Sequence, residues 1–264
     1  MNKTKIEYLT HTWNPIAMRC TPVSEACENC WHLRAADRLS ENPKIPMEIC
    51  AIYRGDKPPK IIPYRLMDLV HKKDPCMIGV QFMGDLWLNG VGWENIDKIF
   101  DACCMADRHA YLFLTKRIRA AWYYFNSPIY GRKTGRSTYL KNKNIWVGVT
   151  VENQERAGER IPLLFQIPAK IRFISAEPIL GPIDLDETCG ITWCWRRDLD
   201  WVICGAETGP KARPMDLSWA RDLRDQCKST GTPFFFKSAG NKQPIPHDLL
   251  IREYPFQAQG QEEV

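Results

Sequence analysis

The chain has 264 residues, 44% of them hydrophobic and 25% charged, with 36 basic against 31 acidic side chains and a net charge of +5. This composition excludes a largely disordered chain, and the length suffices for a full core without disulfide or metal staples. The mild basic excess permits an anionic partner and does not require one.

The N-terminus, MNKTKIEYLTHTW, carries no apolar h-region and no small-residue cleavage site. The apolar runs, such as 201–204 and 233–236, are far shorter than a membrane span. We therefore expect a cytoplasmic protein with no membrane association. Eleven cysteines would suggest a disulfide framework in a short secreted chain. In a chain of this size without an export signal, Cys103, Cys104 and Cys204 read instead as small buried hydrophobes.

Strands are expected over 12–18, 77–83, 110–115, 145–151, 171–176, 201–205 and 233–237. Most are continuous apolar runs, the pattern of parallel strands covered on both faces. Helices are expected over 24–40 from a Ser24 cap, then over 93–106 and over 153–166 from an Asn153 cap. The last, over 217–230, stops at Gly231. Pro162 should kink or split the third of these. Alternation of strand and helix gives an α/β fold, and seven strands favour a parallel (β/α) barrel, complete or incomplete. No linker or repeat divides the chain, so residues 1–264 read as one barrel domain. Two excursions interrupt the rhythm, at 42–73 and 126–144, and the polar tail 257–264 is expected to be flexible.

One cysteine trio has ligand-like spacing. Cys20-x6-Cys27-x2-Cys30 falls between the first strand and the first helix, where parallel α/β folds collect their sites. Three thiolates with His32 would complete a tetrahedral zinc site. Alternatively, three thiolates would hold three irons of a 4Fe–4S cluster and leave the fourth iron open to another ligand. Incidental cysteines in a loop are the plain alternative.

Asp85, Glu152, Glu177 and Glu207 each fall at or just after an expected strand end, as do Lys116 and Lys237. Acids that recur there would face the mouth of a barrel; singly, each is an ordinary loop carboxylate or helix cap. Gly205 and Gly209 flank Glu207 and would admit a flat ligand or permit a tight turn. The stretch 116–143 mixes Lys116, Arg117, Arg119, Arg132, Lys133, Arg136, Lys141 and Lys143 with six aromatics, from Trp122 to Tyr139. Basic groups track phosphates and aromatics stack bases, so a nucleic-acid surface is one reading. A solvated loop beside a helix that buries its aromatics is the other.

The blocks IEYLTHTWNPIAMRCTPVSEACENCW, FMGDLW, FLTKR, WVGVTVENQERAGERIPLL, FISAEPILGPIDL, WVICGAETGPKARPM and PFFFK span 6–240. They resemble an uncharacterised phage-associated three-cysteine family, which in turn resembles the radical S-adenosylmethionine enzymes. The resemblance implies that Cys20, Cys27 and Cys30 ligate a 4Fe–4S cluster whose open iron is chelated by S-adenosylmethionine. It implies one-electron cleavage of the sulfonium to a 5′-deoxyadenosyl radical, with electrons from a flavodoxin- or ferredoxin-type reductase. Gly84 and Asp85 would stand where those enzymes bind the methionine amine. Thr150 and Glu152 would meet the ribose and carboxylate, and Glu177, Gly205 and Glu207 would complete the cofactor cradle. The first cysteine gap departs from the usual three residues, and Trp31 follows the last cysteine where an aromatic usually precedes it.

The expected function is therefore a radical S-adenosylmethionine enzyme acting on a nucleotide or nucleic acid, in phage DNA modification. Lys116, Arg117, Arg132, Lys133 and Arg136 would contact phosphates. The alternatives are a zinc-stabilised, non-catalytic nucleic-acid-binding barrel, favoured by His32, and a divalent-metal-dependent hydrolase using the strand-end acids.

Overall fold

A computed structural model describes residues 1–127, 135–188, 195–240 and 243–255. By residue contacts the chain divides into two compact units, Met1–Val149 with Gln166–Lys170, and Thr150–Phe165 with Ile171–Val264. Both are α/β in character.

The first unit begins with β1 (Asn2–Lys3), β2 (His11–Trp13) and β3 (Ile16–Ala17). Helices α1 (Trp31–Ser40) and α2 (Met47–Arg54) follow, then β4 (Lys60–Ile61) and the short α3 (Pro63–Leu66) and α4 (Asp68–His71). The unit continues with β5 (Met77–Val80), α5 (Trp93–Met105), β6 (Ala110–Thr115), α6 (Ile118–Asn126) and β7 (Ile145–Thr150). Strands β2, β5, β6 and β7 pair in parallel in that order, and β1 adds antiparallel to β2. Strands β3 and β4 form a separate antiparallel pair. Tyr111, Leu112 and Phe113 on β6 are fully buried, and every residue of β7 is buried. Cover on both faces is the reason these strands read as unbroken apolar runs.

The second unit holds α7 (Gln154–Phe165), β8 (Ile171–Ala176), α8 (Leu185–Thr188), α9 (Trp195–Asp198), β9 (Trp201–Gly205), α10 (Leu217–Thr230) and β10 (Phe234–Ser238). Strands β8, β9 and β10 are parallel neighbours. Asp216 caps α10 by accepting the Ser218 N–H at 2.8 Å, and Gly231 ends it in the left-handed region at φ 71°.

Three expected elements end differently, each for a local reason. The strand expected over 12–18 breaks at Asn14–Pro15, because proline has no ladder donor and the Asn14 side chain instead accepts the Met83 N–H at 2.8 Å. The strand expected to reach 83 stops at Val80, since Gln81 turns to φ 54°. The first helix starts only at Trp31. Residues 25–27 make one 3₁₀ turn, Ser24 caps nothing through its side chain, and Cys30 takes the N-cap position. Pro162 sits inside α7 without splitting it. The amide it lacks would have bonded the carbonyl of Gly158, an exposed residue on the solvent side. The excursion 42–73 is structured by α2, β4, α3 and α4. No barrel-closing strand pair occurs among the described residues, so the shown architecture is α/β with predominantly parallel strands. The tail 257–264 lies outside the described residues. No helix among them is long and apolar enough to cross a membrane.

Candidate functional site

The cysteine loop follows β3 and leads into α1, and the region after β5 builds its floor. The buried Gln81 side chain accepts the Ile16 N–H at 3.1 Å and donates to the Ile16 and Met83 carbonyls at 3.0 Å each. Gly84 has φ 126°, and a Cβ there would fall 2.8 Å from Cγ of Met18, itself fully buried. Glycine is thus required by backbone conformation and by the side chain two residues before Cys20.

Cys20, Cys27 and Cys30 are free thiols of intermediate exposure. The Cys20 N–H donates to His32 Nε2 at 3.1 Å. Arg117 Nη2 donates to the Thr21 carbonyl at 2.7 Å and to Thr21 Oγ1 at 2.8 Å. Burial and then the nearby Asp85 charge push the Cys20 thiol up to about 11, while the Arg117 guanidinium pulls it the other way. Cys27 Sγ lies 3.9 Å from Ser24 Oγ, and Cys30 makes no side-chain bond to the end of α1. As a donor set, three unoxidised thiols on one loop fit a thiophilic metal centre. Among the described residues, no three His, Cys, Asp or Glu side chains already stand in a metal-binding arrangement.

His32 is not placed as the fourth ligand that a zinc site would need. Its Nε2 is occupied by the Cys20 amide, and burial lowers its pKa to about 4, so the ring is neutral. Its Nδ1 is buried and has no hydrogen-bond partner among the described residues.

Asp85 is buried and serves as a local tie. Its carboxylate accepts from Thr115 Oγ1 at 2.8 Å, from the Lys116 N–H at 3.0 Å and from the Trp87 N–H at 3.1 Å. Arg117, expected to meet phosphate, is instead engaged with Thr21. Arg136 also departs from that expectation. It is buried, pairs with Asp97 at 2.8 Å, and lies 5.0 Å from the ring centres of Trp93 and Tyr124. A guanidinium held this way is not presented to a nucleic-acid backbone. Tyr124, Phe125 and Tyr139 are buried beside Phe100, whereas Tyr123 is exposed. Lys116 is partly exposed. Arg132 and Lys133 lie outside the described residues.

In the second unit each strand-end acid has its own base. Glu152 is fully buried and accepts from Arg160 Nη1 at 2.7 Å; the same nitrogen donates to the Thr150 carbonyl at 2.7 Å. The other Glu152 oxygen has no hydrogen-bond partner among the described residues. Glu177 and Lys237 are in direct contact. They meet beside Gly205, where a Cβ would lie 3.4 Å from Lys237 Cβ and 3.6 Å from Glu177 Cγ. Glu207 is held by Arg213 through Nη2 at 2.6 Å, Nε at 3.0 Å and the backbone N–H at 2.8 Å. Acids neutralised one by one do not form the shared carboxylate cluster that a divalent-metal hydrolase needs.

Sequence reading missed Gln81, Arg160 and Arg213. Arg160 reaches Glu152 from the second turn of α7, and Arg213 is folded back on Glu207 through the turn at Gly209, φ 116°. The Gly209–Pro210 pair was the available signal for that turn. Nothing in sequence marked Gln81, a polar residue in an apolar run. No curated protein and no solved structure matches this chain. A family model described as "Protein of unknown function (DUF5131)" matches residues 3–261, nearly the whole length, and the chain belongs to that family.

Proposed function

We propose that this protein is a radical S-adenosylmethionine enzyme, with Cys20, Cys27 and Cys30 as the ligands of a 4Fe–4S cluster. The carrying observation is the set of three free, partly exposed thiols between the first parallel strand and the first long helix. When bound, the cluster and S-adenosylmethionine supply one-electron chemistry at the sulfonium.

The chain's own residues do the rest. Gly84 lets the segment after β5 pack under the loop on Met18, and Asp85 ties that segment to the end of β6. Thr150, Glu152, Glu177, Gly205 and Glu207 are the residues we assign to the cofactor's amine, carboxylate and ribose. In this reading the α/β strands belong to a (β/α) barrel, complete or incomplete. The compartment is a reducing cytoplasm, where thiols stay free. Reduction comes from a flavodoxin- or ferredoxin-type donor. The substrate is a nucleotide or nucleic acid, in the setting of phage DNA modification.

The test is anaerobic. Protein reconstituted with iron and sulfide should be brown, absorb near roughly 400 nm by thiolate–iron charge transfer, and form 5′-deoxyadenosine when reduced with dithionite in the presence of S-adenosylmethionine. A reducible cluster that yields none would overturn the enzyme assignment. A colourless protein holding zinc would overturn the cluster. For the substrate class, binding to single-stranded oligonucleotides should weaken steeply with salt as counterions are released. Salt-insensitive binding would point to a small molecule instead.

A further inference from the structure

Cys20 and Thr21 are gripped from two sides by groups that sequence reading assigned elsewhere. From α1, His32 Nε2 accepts the Cys20 N–H at 3.1 Å. From the end of β6, Arg117 donates to the Thr21 carbonyl and hydroxyl at 2.7 and 2.8 Å. The two grips are themselves fixed. His32 is 2% exposed within the first turn of α1. The Arg117 N–H bonds Thr115 Oγ1 at 2.8 Å, and that hydroxyl donates to Asp85. Asp85 in turn receives the Lys116 and Trp87 amides.

The other two cysteines are held within local turns: the Cys27 N–H donates to the Ser24 carbonyl at 2.9 Å and the Cys30 N–H to the Cys27 carbonyl at 3.3 Å. Cys27 closes a 3₁₀ turn and Cys30 takes the N-cap position of α1 without a side-chain capping bond. The first cysteine is thus tied to α1 and its neighbour Thr21 to the end of β6, whereas the amide bonds of Cys27 and Cys30 stay within their own turns. Groups that hold the backbone of a ligand residue fix where its donor atom points, as outer-shell partners do in metal sites.

We propose that His32 and Arg117 are positioning residues that preset the backbone at Cys20 and Thr21 for metal binding. Neither residue is a ligand, and Arg117 is not a phosphate contact. The inference rests on the cysteine-loop reading, but its first readout needs no metal.

That readout is residue-resolved amide hydrogen exchange of the metal-free protein. His32→Leu and Arg117→Ala should speed exchange at the Cys20 amide by about tenfold or more, since each removes a bond that closes the loop locally. His32→Gln keeps an acceptor and Arg117→Lys keeps a cationic donor, so both should stay near wild type. Amides of β6 and α5 serve as the control for global unfolding. Unchanged Cys20 exchange in both His32→Leu and Arg117→Ala would overturn the clamp. So would equal acceleration throughout β6, which would mean general destabilisation. The second readout is iron retained against a chelator after anaerobic reconstitution with iron and sulfide. His32→Leu and Arg117→Ala should lose it several-fold faster than wild type, and the conservative variants should not. If wild-type protein takes up no iron, the cluster reading fails, while hydrogen exchange still decides the clamp.

Discussion

On the proposed cluster reading, replacing Cys20, Cys27 or Cys30 with Ala would remove one of its three protein anchors, and a cluster short of an anchor is poorly held. Each variant should bind little or no iron and sulfide after reconstitution. Cys103→Ala should load normally, because Cys103 is fully buried in α5 and its thiol is raised far from ionisation by burial. Equal iron in all four variants would sink the ligand assignment. Gly84 allows a second test at single-residue scale. Gly84→Ala must place a Cβ against Met18 and hold φ near 126°, so it should destabilise by about 1–3 kcal/mol, read as a lower urea midpoint. The family resemblance implied a cofactor-binding role for Gly84, and its neighbour in the fold is Met18, a buried methionine of the cysteine loop. A lost side chain's partner lies across the fold and leaves no local trace.

Among the elements, the segment from α6 through the 3₁₀ helix Arg136–Lys141 shows how composition can mislead. Basic and aromatic residues interleave there as they would on a nucleic-acid surface. Three of those aromatics and one arginine are in fact packed on α5, where Phe100 stacks on Phe113 at 4.5 Å, Tyr124 donates to Asp97 at 2.8 Å and Tyr139 donates to Asp101 at 3.0 Å. Arg136→Glu should therefore cost about 3–5 kcal/mol of stability, since it breaks a buried ion pair and sets a second carboxylate against Asp97. Calorimetry should show a lowered melting temperature. Tyr123→Ala, on the exposed face of α6, should leave the melting temperature unchanged. Oligonucleotide affinity that drops in Arg136→Glu with stability intact would contradict this packing.

For the molecule as a whole, the buried imidazole of His32 links stability to pH. Burial lowers its pKa from 6.5 to about 4. Between those values the unfolded chain binds a proton that the folded chain refuses, so folding is favoured above pH 6.5 and loses that support as pH falls toward 4. Urea midpoints taken across this window should decline with acidity, and His32→Gln should flatten the slope. An unchanged slope in that variant would assign the acid sensitivity to other groups.

Strand positions were legible from sequence because continuous apolar runs have few other uses: 110–115, 171–176 and 201–205 coincide with β6, β8 and β9. Helix α10 was legible for the same kind of reason, with its Gly231 end written in local chemistry, while the Asp216 cap emerged only in the structure. The cysteine spacing, too, is a property of sequence alone. Partner choice was not. That Glu152 meets Arg160, Glu177 meets Lys237 and Glu207 meets Arg213 followed from how strand ends and helix turns converge. That His32 accepts the Cys20 amide and Arg117 donates to Thr21 was decided the same way, over a separation of 96 residues for Arg117 and Thr21. Local propensity and hydrophobic pattern act over a few residues. The bonds of a polar side chain depend on whichever group the fold brings within about 3 Å, and only the tertiary structure sets that.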